Sequence, residues 1–248
     1  MLSLTIDGID LSDYGLRLTS IDMPYRNATD TAQAEGRTWG FTTRPQARSF
    51  TLGVSVVADT GAALAGYLDD INAVMVDRGD RQVILGPLPD RYWTCRIESW
   101  AGRRLSPVEW AGQLVLVAHD PYAYSTDYES VIDDVIAGEW SDVVTVGGTA
   151  YAYPVVTLTF DSDYPEEASI TLRNATLEME IEWAGSLDPA DVLVFDSEAE
   201  SVTLNGDAAM TGVAGVNPRW PLLKPGANLI EIEGFTGHIS IEWRERYL

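Results

Sequence analysis

Lysine is nearly missing from this chain: Lys224 is the one example in 248 residues, against thirty-eight acidic side chains. The other fifteen basic residues are arginines, and the formal net charge is −22. That balance excludes a duplex-binding protein, because such affinity rests on Lys and Arg neutralising phosphates. Acid excess with lysine loss points to a surface adapted to molar salt, where the Debye length falls to about 3 Å and neighbouring carboxylates stop repelling one another. A GC-rich genome, which favours arginine codons, is the other source such a bias can have.

Cysteine is limited to Cys95, in the alternating stretch RYWTCRIESW. No intramolecular disulfide can form, no zinc-ligand spacing exists, and the residue reads as a small buried thiol. No run of eighteen or more apolar residues is present, so no membrane-spanning helix is expected. The opening MLSLTIDGIDLSDYG has neither the basic nor the continuous apolar region of a cleaved signal.

The common motifs of catalysis are missing too. There is no GxSxG, Walker loop, HExxH or CxxC, so acyl transfer, nucleotide hydrolysis and zinc chemistry have no foothold. No catalytic residue, cofactor or metal ligand is assigned, and an enzyme is not expected. Of the two histidines, His119 precedes Asp120, but neighbours in a strand point to opposite faces and cannot act together. His238 follows a glycine and reads as a hairpin edge. Glu178, Glu180 and Glu182 alternate with Leu177, Met179, Ile181 and Trp183, the pattern of a solvated acidic face over a buried one rather than of a glycosidase cleft. Asp161-Ser162-Asp163 and Asp69-Asp70 offer hard oxygen ligands without the roughly twelve-residue loop pattern that makes a calcium assignment specific.

What is present is packable material. Hydrophobic residues make up 46%, with eight Trp and eleven Tyr, which excludes a disordered chain. SFTLGVSVVAD places Phe50, Leu52, Val54 and Val56 on one strand face. TGAALAGYLDDINAVMVDRGDR changes period, setting Leu64, Leu68, Ile71 and Met75 along a helix that Arg78-Gly79 would stop. Strands resume at RQVILG, RYWTCRIESW and GQLVLVAHD. Asp120-Pro121 and the polar, acidic stretch after it place a domain boundary near residues 121 to 145. Beyond it the runs are all β, with Asn205-Gly206 as a type I′ hairpin pair, and their spacing predicts a sandwich.

This order of features resembles the distal tail proteins of long-tailed, non-contractile phages and related archaeal viruses. The residues that carry the likeness are IDGIDLSDYGLRL, EGRTWGF and AHDPYAY in the first half and SVTLNGD, NPRWPLLKPGANLIEIEG and HISIEWRERYL in the second. The most specific are Trp220, Pro221, Leu223, Pro225, Gly226 and Asn228. The resemblance implies a mainly β protein: residues 1–125 as an N-terminal β-rich ring and belt domain with one α-helix, and residues 126–248 as a C-terminal galectin-like β-sandwich. Its last strand is able to return to the N-terminal domain.

The function implied is that of a structural virion protein at the distal end of a siphovirus-like tail. It would form a homo-hexameric ring between the tail tube protein and the hub, tip or receptor-binding protein of the baseplate, with the genome passing through unbound and no contact with membrane. An acidic lumen would repel phosphate. NATDTAQAEGRTWGFTTRP reads as a contact arm, with Arg37, Arg44 and Arg48 as candidates for ion pairs with a neighbouring subunit. The rival readings are another tube or hub component and a carbohydrate-binding module using Trp183, Trp220 or Trp243, although Trp183 and Trp243 lie in phase with the apolar faces of their strands. Lys224 opens a Pro225-Gly226 turn, with no role assigned to its amine.

The halophilic reading is tested by a melting series between tens-of-millimolar and molar salt. The melting temperature is expected to climb with salt, and a flat series would remove that reading.

Overall fold

The computed structural model describes residues 3–23, 27–34, 37–45, 47–77, 79–161, 164–215 and 218–248. The chain divides into two units, Met1–Tyr124 and Ser125–Leu248. The strands of the first are β1 (Leu4–Ile6), β2 (Ile9–Asp10), β3 (Leu16–Asp22), β4 (Asn27–Ala34), β5 (Arg37–Pro45) and β6 (Arg48–Val57). After helix α1 (Gly61–Met75) come β7 (Arg81–Leu85), β8 (Leu88–Ser106), β9 (Glu109–Ala118) and β10 (Ala123–Ser125), which ends at the division.

The expected alternation in β6 is realised: Phe50, Leu52, Val54 and Val56 are each at most 1% exposed. Burial of such side chains stabilises the fold by about 1.5–3 kcal/mol each before entropy is counted. β6 pairs with β3 on one side and β9 on the other, within a sheet of order β2-β1-β7-β8-β9-β6-β3. α1 begins where the extended Thr60 accepts a hydrogen bond from the Ala63 amide at 3.1 Å, an N-cap that satisfies one of the donors a helix start leaves open. It buries Leu64, Ile71 and Met75 and ends at Val76, short of the predicted stop. Arg78 of that stop signal lies outside the described residues. The contact-arm segment is a two-stranded ribbon, β4 against β5, that joins neither larger sheet among the described residues.

The second unit contains β11 (Glu129–Val146), β12 (Val155–Phe160), β13 (Tyr164–Asn174), β14 (Met179–Leu187), β15 (Val192–Asp196), β16 (Ser201–Leu204), β17 (Asp207–Ala208), β18 (Gly226–Trp243) and β19 (Arg246–Tyr247). Most of the acidic stretch read as a boundary is therefore strand, β11, which pairs with β18 along its full length. Its signal was obscured because it lies beside one partner only, carries acids at several positions, and shifts register twice, between Asp133 and Ile136 and again at Gly138-Glu139.

β18 organises this unit. Its first part, through Glu233, pairs with β13, and its second part, from Gly237, pairs with β12. The inward residues of both parts, Ile230 and Ile232 then Ile239 and Ile241, enter one core. The strand changes partner at Gly234 (φ +77°) and Gly237 (φ +150°). A Cβ at either position would collide with a backbone carbonyl oxygen, of Ser169 or Thr159 respectively, so only glycine fits. Between them Phe235 packs edge-on against Phe160, ring centroids 5.1 Å apart.

The start of β18 is pinned by Asn228, which is fully buried. Its carboxamide oxygen accepts from the Lys224 amide at 2.9 Å, and its nitrogen donates to the carbonyls of Lys224 (2.8 Å) and Gly226 (3.0 Å). Buried Asn174 reaches the same oxygen at 3.2 Å and the Leu222 carbonyl at 2.6 Å. The Pro-Gly-x-Asn turn is thus closed by its own asparagine. Asn205 and Gly206 both have positive φ, 52° and 86°, as a type I′ turn between β16 and β17 requires.

Asn228→Ala is expected to lower stability by about 1–3 kcal/mol, because it strands buried backbone groups. Lys224→Arg is expected to change it by less than about 0.5 kcal/mol. Thermal denaturation of the two variants checks this, and an unchanged melting temperature for Asn228→Ala would contradict it.

Candidate functional site

The residues singled out for chemistry do not converge. Cys95 is 1% exposed, and burial, with a smaller push from the Asp80 carboxylate, raises its thiol pKa to about 12. It is a packing residue that stays protonated at neutral pH. His119 is exposed while Asp120 accepts from the Tyr122 amide at 3.2 Å and from the Tyr124 hydroxyl, so the two neighbours do not form a pair. His238 lies within β18 opposite Thr159, not at a hairpin edge, and its Nε2 is 3.4 Å from an Asp161 oxygen. Glu180 and Glu182 are exposed on β14 as expected, but Glu178 sits in the preceding turn at φ +54°. Asp69 and Asp70 are exposed on α1, and Ser162 and Asp163 of the other acidic cluster lie outside the described residues. No group of three metal-ligating side chains occurs among the described residues.

The tryptophans are not a sugar platform. Trp183, Trp220 and Trp243 are 3%, 9% and 4% exposed and all belong to the core of the second unit. Trp183 donates to the Ala209 carbonyl at 2.9 Å, and its ring is approached so closely by Gly185 and Gly212 that a Cβ on either would strike it.

Of the three proposed contact arginines, Arg48 opens β6 opposite Ala118 and is 8% exposed, so it is not a surface cation. Arg37 and Arg44 lie on β5, opposite Ala34 and Ala28. Their side chains fall outside the described residues.

Sequence reasoning treated the acidity as uniform, and it is not. The first unit has eleven arginines against fifteen acids, a net −4, and the second has five basic residues against twenty-three acids, a net −18. A count split at the boundary would have found this. Several arginines of the first unit are committed to internal pairs. Arg81 bonds to the Asp7 carboxylate and caps the Val74 carbonyl of α1 at 3.2 Å. Arg96 meets Asp80 at 2.6 Å and holds that carboxyl below its usual range. Arg103 and Arg104, at the end of β8, are exposed, and their side chains make no hydrogen bond or ion pair among the described residues.

Among the described residues, the polar side chains singled out from the sequence form no convergent cleft. Residues 147–247 match the family of siphovirus-type tail components, C-terminal domain. Comparison with curated proteins gives no match. Among solved structures, the chain is similar over its whole length to the crystal structure of the SPP1 Dit (gp 19.1) protein, described as a hub adsorption apparatus in phages infecting Gram-positive hosts. The TM-score is 0.80 at 18% identity, with 100% of each chain covered. It is also similar to a component of the phage P2 baseplate in its activated conformation, with Ca (TM-score 0.56, 9% identity) and with Sr (0.52, 7%), covering 99% of this chain and 98% of the other in both cases. At these identities the structures show a shared fold.

The buried thiol gives a direct check on this picture. Cys95 is expected to resist a thiol-modifying reagent in the native protein and to react fully after denaturation; rapid native labelling would contradict the packing described.

Proposed function

We propose that this chain, which through residues 147–247 belongs to the Dit family of siphovirus-type tail components, forms a hexameric ring at the distal end of a viral tail. It joins the tube to the hub or adhesion device and lets the genome pass. The observation that carries the reading is the match of the whole chain to SPP1 Dit, with nothing left over in either protein. A shared C-terminal sandwich alone would fit many binding modules; both units in the same order fit a tail hub component. The role is structural and places the protein in the virion.

The charge distribution refines how such a ring would pass DNA. If the first unit forms the ring, its wall carries a net −4 per copy rather than the dense acid of the second unit. Passage then rests on a lack of net attraction more than on repulsion by an acidic lumen. The strongly acidic second unit is the part suited to molar salt, which supports a halophilic setting. A sugar-binding role loses its best candidates, since all three tryptophans are buried. The β4–β5 ribbon remains the candidate contact arm: a two-stranded ribbon is at best marginally stable alone, and Arg37 and Arg44 are proposed to pair with a neighbouring subunit.

Negative-stain microscopy of the purified protein in molar salt is expected to show six-fold rings, alone or capping tubes. Monomers at every concentration, or tubes built from this chain alone, would overturn the reading. In the same assay Arg37→Ala with Arg44→Ala is expected to reduce the ring fraction, and undiminished rings would remove the ion-pair role.

A further inference from the structure

The β8–β9 hairpin ends in an unusual tip for so acidic a protein. Arg103 and Arg104 are exposed and unpaired among the described residues, and Leu105 beside them is 52% exposed. The tip lies next to the start of α1: the Pro107 carbonyl is 3.2 Å from where a Cβ on Gly61 would stand. Two cations and a bare leucine, in a chain with more than twice as many acids as bases, would suit a surface that offers both carboxylates and apolar area.

Such a surface exists at the other end of the same helix. A groove of about 450 Å³ lies between the last turn of α1 and β8, with Met75, Val76, Ile97 and Trp100 as its apolar lining. Val76 is 76% exposed, the most exposed large hydrophobic residue described. The groove wall is fixed, because the Trp100 indole donates to the Asn72 carboxamide at 2.9 Å and its ring lies 4.5 Å from that of Trp110, tilted by 35°. Its rim is acidic. Glu98 lines it, and Asp69 stands one turn before Asn72 on the same helical stripe; both are exposed.

We infer that the Arg103-Arg104-Leu105 tip of one copy docks in the Val76-Ile97-Trp100 groove of the next. This rests on the ring reading above and names one contact that closes the ring. Knob and groove match in charge and in apolar character. They sit at opposite ends of a fifteen-residue helix, about 22 Å long at 1.5 Å per residue. Leu105 of one copy therefore does not reach its own Val76. Two different patches used head to tail form a heterologous contact, the kind that generates cyclic rings when the rotation closes. The leucine would lose water against Val76 and Trp100, while the arginines meet Asp69 and Glu98 at the rim, where contact pairs survive salt better than distant ones.

The test uses the full-length chain in molar salt, with light scattering for mass and microscopy for shape. Leu105→Glu and Val76→Glu are each expected to weaken ring association about tenfold or more, as loss of a central apolar contact does. Both positions are exposed, so the melting temperature of the unassembled protein should stay near wild type. At the lowest salt at which wild-type rings persist, Arg103→Glu with Arg104→Glu is expected to weaken association, and adding Asp69→Arg with Glu98→Arg to restore part of it. Rings of undiminished stability in Leu105→Glu and Val76→Glu, or no recovery in the charge-swapped variant, would overturn this contact while leaving the ring reading intact. Failure of the wild-type chain to form rings would overturn both.

Discussion

One strand, β18, has to pair with three others within a single sheet of the second unit, and most of that unit follows from it. β18 is bonded to β11 along its length but must leave β13 for β12 partway. The exchange is possible because Gly234 and Gly237 take backbone conformations, and approach neighbouring carbonyls, in ways no side chain allows. Asn228 sets where the strand begins by satisfying the turn before it. With start and corner fixed, alternate residues on both parts of the strand face a common interior, and Trp183, Trp220 and Trp243 are drawn into it. The same constraint that builds the sandwich therefore removes the aromatic residues a sugar-binding module would present.

The two units differ in electrostatics more than in architecture. The first balances much of its acid with arginine, partly in pairs such as Arg81–Asp7 and Arg96–Asp80. The second carries most of the net charge as unmatched carboxylates. Dense like charge destabilises a compact state unless ions screen it, so the second unit is where dependence on salt should reside. The first unit, at net −4, carries an exposed arginine pair and an apolar groove on its surface.

Periodicity exposed much of this in advance. The alternation of Phe50 to Val56, the helical stripe through Leu64, Leu68, Ile71 and Met75, and the Asn205-Gly206 turn are local signals; each appears in the structure, with Leu68 only half-buried. The Asp120-Pro121 turn and the strand spacing after it suggested a second, all-β domain, and the family likeness named it galectin-like. What escaped was whatever depends on distant partners. β11 looked like a linker because its acids and bulges break the pattern, although β18 holds it in place. Asn228 looked like part of a motif, and its bonds to the turn and to Asn174 could not be inferred from spacing. Arg48 looked like a contact residue because nothing local marks a buried arginine. Glu178 was placed on a strand because alternation cannot show where a turn ends.

The claim on which the rest depends is that these surfaces assemble a ring at the tail tip. Cryo-electron microscopy of intact tails carrying this chain, reconstructed at the distal end, measures it most directly. The account predicts six copies in one ring between tube and hub, each with its first unit in the ring. Copies repeating along the tube, or a single copy at the tip, would contradict it.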